Sequence, residues 1–154
     1  MAGRAVVAAG YRQILWVHQT KDRGPQRTYT YYEERLAGLS GATRGCRIED
    51  LAILPENGLP WREFAARLDR KTAVVACSYG QATIAALMAA SAGLVPGRDF
   101  AMVCCDELAA WKYHWPNLAR SSFDRFELGR AAARMMLQRL TRPKAKQSVE
   151  ASHV

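Results

Sequence analysis

Four short apolar runs of strand-forming residues, each followed by a stretch of helical character, constrain this chain more than any single motif. They are Ile14 to Val17, Leu51 to Leu54, Thr72 to Cys77 and Phe100 to Cys105. Between them, Gln26 to about Leu39 repeats Tyr29, Tyr32 and Leu36 at helical spacing, which predicts a core-facing stripe. Trp61 to Leu68 follows a proline placed for a helix start, and Gln81 to Ala92 is so rich in alanine that it must pack closely against something. Residues 3 to 9 read as a helix stopped by Gly10, and a last amphipathic helix is expected from about Asp124 to Leu140. Strands alternating with helices across short connections predict an α/β fold, a parallel sheet with right-handed crossovers and helices on both faces. The run FAMVCC is almost wholly apolar, as in a strand covered on both sides.

At 154 residues, 49% of them apolar, the chain is one domain in size with enough material for a core. No apolar run approaches the roughly 20 residues of a membrane span. The N-terminus shows no signal-peptide pattern, so a cytoplasmic location is expected. The net charge of +8 invites a nucleic-acid reading. Its arginines, however, are spread singly from Arg4 to Arg142, and the one dense basic run, RLTRPKAK, ends a helix where cations complement the dipole. A solvated surface is expected, not a direct DNA interface. The cysteines Cys46, Cys77, Cys104 and Cys105 have no C-x-x-C spacing and read as buried, reduced thiols, neither a disulfide framework nor a set of soft metal ligands. No metal or cofactor is expected.

Open parallel sheets bind ligands beyond the C-terminal ends of their strands. That rule points to His18, Ser78, Tyr79, Asp106 and Glu107. Ser78, in VVACSYGQ, stands where a strand hands over to a helix. The setting resembles a G-x-S-x-G nucleophile elbow with Ala76 in place of the first glycine, and it equally suits a ligand contact without chemistry. A serine acyl hydrolase would need Asp106 and His114 as partners, and no HGGG-like stretch supplies an oxyanion hole. A hydrogen-bonding role for Ser78 is the preferred reading, with the hydrolase as an alternative.

Three stretches, in order, resemble the effector-binding domain of the lactose-repressor (LacI/GalR) family of bacterial transcription regulators. They are GYRQI from Gly10, the run TAVVACSYGQATIAALMAASAGLVPGRDFAMVCCDE, and PNLARSSFDRFELGRAAARMMLQRL with its E-x-G-R-x-A helix. The likeness spans about residues 4 to 141. It implies a non-enzymatic, ligand-sensing domain with a periplasmic-binding-protein-like two-lobed fold, a sugar or sugar-like effector and a homodimer. Operator DNA would be reached only through a headpiece that this chain lacks. By the same resemblance, Arg27, Ser78, Tyr79, Asp106 and Phe123 are effector contacts, Asp106 accepting hydrogen bonds from sugar hydroxyls. Ser78 and Tyr79 replace the family's usual asparagine-aspartate pair, which implies an atypical effector.

The resemblance divides the chain into a C-terminal lobe over residues 1–121, a returning segment and helix of the other lobe over 122–141, and a polar tail over 142–154. The chain then holds one lobe and lacks most of the first. Trp111, Tyr113 and Trp115 fall near the family's subunit interface, and tryptophan and tyrosine favour such surfaces. The other reading of that aromatic loop is packing onto its own lobe. A solute-binding protein of a sugar transporter is the second alternative.

Overall fold

The structure, a computed structural model, describes residues 2–18, 30–53, 60–106, 118–121 and 124–141. It divides into two compact units, residues 1–121 and 122–154.

In the first unit, α1 (Ala2–Ala8), β1 (Gln13–His18), α2 (Thr30–Ala42), β2 (Arg47–Ala52), α3 (Trp61–Ala65), β3 (Thr72–Ala76), α4 (Tyr79–Ser91), β4 (Ala101–Cys104) and β5 (Ala119–Arg120) follow one another. The strands form a parallel sheet in the order β2-β1-β3-β4-β5. The α/β architecture expected from the alternating pattern is therefore the one observed. β1 and β3 lie inside the sheet, and β3 is buried from Thr72 to Ala76. This is why their sequences are continuously apolar and do not alternate.

The pleat sends neighbouring residues to opposite faces. Leu15, Val17, Val74, Ala76, Met102 and Cys104 enter one core with Phe64 of α3 and Ala82, Ala85, Ala86 and Ala89 of α4. Ile14, Trp16, Ala73, Val75 and Val103 enter the other, with Val6 of α1 and Tyr32 and Leu39 of α2. Each large side chain fully buried there contributes about 1.5–3 kcal/mol. The helices α1 and α2 cross closely at Gly3, where an added Cβ would stand 3.0 Å from that of Ala42 and 3.1 Å from Leu39 Cδ1. The alanine helix α4 ends in a Schellman motif. Gly93 takes φ +73°, its N–H bonds Ala90 O at 2.9 Å, and Leu94 N–H reaches back to Ala89 O at 3.0 Å.

Several boundaries differ from those expected. The second strand runs over Arg47–Ala52, starting well before the predicted Leu51. It is the sheet's edge, where half-exposed polar residues are tolerated, so Glu49 and Asp50 hide its N-terminal half from an apolar-run criterion. The helix predicted to end at Leu68 stops at Ala65, after which Arg67 and Leu68 donate to Phe64 O and Ala65 O in tighter turns. α4 begins at Tyr79, two residues early, because Ser78 occupies the cap position with an extended backbone. α2 is described from Thr30 and continues to Ala42, past the predicted Leu39.

The second unit contains α5 (Arg125–Thr141). Asp124 caps it, its Oδ1 accepting from Phe126 N–H at 2.9 Å and Glu127 N–H at 3.0 Å. Glu127 pairs with Arg130 at 2.6 Å one turn on. Phe126, Met136, Leu137 and Leu140 are exposed. No helix among the described residues is long and apolar enough to cross a membrane.

Candidate functional site

The five strands among the described residues run the same way, so their C-terminal ends form one edge of the sheet. Hydrogen bonding continues one residue past several strands. Ile53 N–H bonds His18 O at 2.7 Å, Cys77 N–H bonds Val17 O at 2.8 Å, Cys105 N–H bonds Ala76 O at 2.9 Å and Ser121 N–H bonds Cys104 O at 2.8 Å. The ladder holds the edge rigid up to the point where Ser78 and Asp106 begin.

Ser78 is half-buried. Its Oγ donates to Gln81 Oε1, three residues on, and makes no cap bond to the helix backbone. An amide oxygen does not act as a general base, so this hydroxyl is held as a hydrogen-bonding group and not activated as a nucleophile. Tyr79 opens α4 half-buried, packed against the core beneath that helix. Asp106 is half-buried just past β4, its N–H directed at Cys104 Sγ at 3.4 Å. The predicted pair Ser78 and Asp106 thus stands at the ends of neighbouring strands β3 and β4. Arg27, Phe123, Trp111, Tyr113 and Trp115 lie outside the described residues, as do Glu107 and His114.

The edge also carries the predicted His18, at the end of β1, and three groups that were not anticipated, Arg35, Asp50 and Arg120. Arg35, on α2, donates from Nη1 to Cys77 O, the carbonyl directly before Ser78. It lies on the buried stripe of α2 between Tyr32 and Leu39, and an arginine at a stripe position was the available signal. At the β1 and β2 ends, His18 Nε2 lies 2.6 Å from Asp50 Oδ1, and Tyr32 Oη donates to Asp50 Oδ2 at 2.7 Å. The His18 and Tyr32 ring centroids are 4.5 Å apart. Tyr32 is therefore core packing, as its stripe implied, and a polar anchor as well. Burial and then its bond to Asp50 raise its phenol well above the ordinary range. Arg120 of β5, in register with Cys104, completes the edge half-buried.

The thiols are free. The pleat places Cys77 and Cys105 toward one core and Cys104 toward the other, so the three do not converge on one point. Burial pushes Cys104 up to about 11 and Cys105 to about 12, and raises Cys77 despite the nearby Arg35. Thiols so shifted stay protonated at neutral pH and are poor nucleophiles and metal ligands.

Comparison with solved structures gives the same fold. A LacI family transcriptional regulator from Enterococcus faecium, solved with bound ribose, superposes with a TM-score of 0.64 at 18% identity, over 94% of this chain and 54% of that one. The transcriptional repressor AscG of Escherichia coli gives 0.65 at 22% identity, over 91% and 52%. A candidate ribose operon repressor from Burkholderia thailandensis gives 0.58 at 24% identity, over 91% and 52%. The chain thus spans about half the length of these relatives. No curated protein sequence matches it. The sequence profile of the periplasmic binding protein-like domain matches residues 4–153. Since that match takes in nearly every residue, the chain belongs to the periplasmic binding protein-like domain family.

Proposed function

We propose that this chain is the ligand-sensing portion of a LacI-family transcriptional regulator and that it carries out no chemistry of its own. The observation that carries the reading is the placement of Ser78 and Asp106 at the ends of adjacent parallel strands. One is a hydroxyl able to accept and donate, the other a carboxylate able to accept from two sugar hydroxyls at once. A relative of the same fold was solved with ribose, which supports a sugar as the effector class. Tyr79 would supply an aromatic wall, and Arg27 and Phe123 would contribute from outside the described residues.

In this reading the sheet edge forms one side of a cleft, and the second lobe closes it. The exposed apolar residues of α5 suit a helix that belongs with that second lobe. Trp111, Tyr113 and Trp115 would contribute to a homodimer contact. Effector binding would shift the lobes and thereby the spacing of paired headpieces, so that sugar and operator affinities are coupled reciprocally. A transporter's solute-binding protein shares the fold. The named structural relatives, all described as regulators, favour the sensor.

The test is a thermal-shift screen of neutral and phosphorylated pentoses and hexoses against the full chain and its Asp106→Ala variant. At least one sugar should raise the melting temperature. Asp106→Ala should weaken that sugar's binding by roughly 10- to 100-fold, the scale of a lost charged hydrogen bond. A screen in which no sugar of either kind shifts the unsubstituted chain would overturn the reading.

A further inference from the structure

Two of the four thiols meet across the sheet directly beneath the candidate site. The register of β3 with β4 pairs Ala76 with Cys104, and the bond from Cys105 N–H to Ala76 O carries the ladder onward, so the next pair is Cys77 with Cys105. Both side chains turn to the Trp16 face of the sheet, Cys77 as a buried member of that core and Cys105 packed against it half-buried. The charge of Cys77 also acts on Cys105 through space. Cys104 points to the opposite face, and Cys46 stands before β2, at the other end of the strands.

That placement permits a bond. Neighbouring strands lie about 4.7–4.9 Å apart, within the roughly 4.4–6.8 Å that separates the Cα atoms of a disulfide. A disulfide also holds its Cβ atoms only about 3.5–4.5 Å apart, so closure would draw the ends of β3 and β4 together. Ser78 follows Cys77 directly, and Asp106 follows Cys105. A bond between the thiols would therefore reset the separation of the two candidate effector contacts. A disulfide closed under tension is also readily reduced, which suits a reversible modification.

We propose that Cys77 and Cys105 form a redox modification site that closes to a reversible disulfide under a peroxide and so alters the ligand edge, this last effect resting on the sensor reading above. Cys105 is the half-buried member and reacts first. Its thiolate sulfur attacks one peroxide oxygen; the S–O bond forms as the O–O bond breaks, and the departing hydroxide takes up a proton as water. The sulfur of Cys77 then attacks that of Cys105. The S–S bond forms, and the sulfenic hydroxyl leaves with the Cys77 proton as a second water. Two thiols thus lose two electrons and two protons, and hydrogen peroxide becomes two waters. Burial raises both thiols although Arg35 favours their charged form, so closure is slow at neutral pH and answers sustained oxidation, not a brief pulse.

Peptide mapping of the full chain after prolonged treatment with hydrogen peroxide, alkylation and tryptic digestion tests the site. The peptide holding Cys77 should be joined to the peptide holding Cys105. Thiols counted in denaturant should fall from four to two and return to four with dithiothreitol. Cys77→Ala and Cys105→Ala should each abolish the joined peptide, and Cys104→Ala should keep it. Four thiols surviving the treatment, a bond between Cys104 and Cys105, or a joined peptide lost in Cys104→Ala but kept in Cys105→Ala would overturn the proposal. Thermal-shift titration then compares the two redox states. The sugar that most stabilises the reduced chain should bind the oxidised chain roughly tenfold more weakly, on the scale of one lost hydrogen bond to a charged group. Equal affinity in both states would overturn the effect on the edge. If no sugar bound the reduced chain, the sensor reading itself would fail, and the peptide map would still decide the disulfide.

Discussion

The two faces of the sheet are packed by different means. Under α3 and α4 the helix side presents Ala82, Ala85, Ala86 and Ala89, whose single methyl groups allow close approach to β1, β3 and β4. Under α1 and α2 the contact is made by large side chains, Trp16, Tyr32 and Leu39, and polar groups ride with them. Tyr32 and Arg35 of α2 reach Asp50 and the carbonyl of Cys77, while the buried stripe of α4 is nearly all alanine. One face fixes the distance between helix and sheet. The other delivers polar and charged groups to the edge where the candidate site lies. A helix packed on alanine has little room for an arginine; an interface of large, mixed side chains can carry one.

Substitutions on the two faces should therefore differ in size. The largest effect is expected for Trp16→Ala. Trp16 is fully buried and its ring centroid lies 6.0 Å from that of Tyr32, so its removal should cost about 3–5 kcal/mol in urea unfolding. A loss below about 1 kcal/mol would mean that this face collapses readily and does not depend on its large residues. Next comes Ala85→Leu, which forces extra volume into the alanine interface and should destabilise by about 1–3 kcal/mol in the same measurement. A neutral or stabilising result there would show a void under α4 and remove the contrast between the faces. The smallest is Tyr32→Phe, at about 1 kcal/mol, since Asp50 is half-exposed and water can replace the lost hydroxyl. If it cost as much as Trp16→Ala, the polar groups of that face would be structural and not attached to a framework of packing.

The strand and helix runs, the corner at Ser78 and the aspartate after the fourth strand were legible from the sequence, because each depends on local periodicity or on a position relative to one strand end. The full extent of β2 was not. Its residues are polar because an edge strand is covered on one side only, and edge status depends on strand order, which no local window contains. Tyr32 was visible as a member of a helical stripe, and Arg35, three residues on, was not singled out; neither partner was visible. What they touch, Asp50 and Cys77, lies 18 and 42 residues away along the chain.

The sequence by itself determined the alternating α/β architecture, the family and the chemical types at two strand ends. These are properties of hydrophobic spacing and of short motifs. Only the tertiary structure decided which face each cysteine joins, that Arg35 comes to the carbonyl before Ser78, and that Ser78 and Asp106 end neighbouring strands. The physical reason is that crossover connections set strand order, and strand order brings distant residues to one edge. Local propensity fixes the direction and period of each element and says nothing of its neighbours.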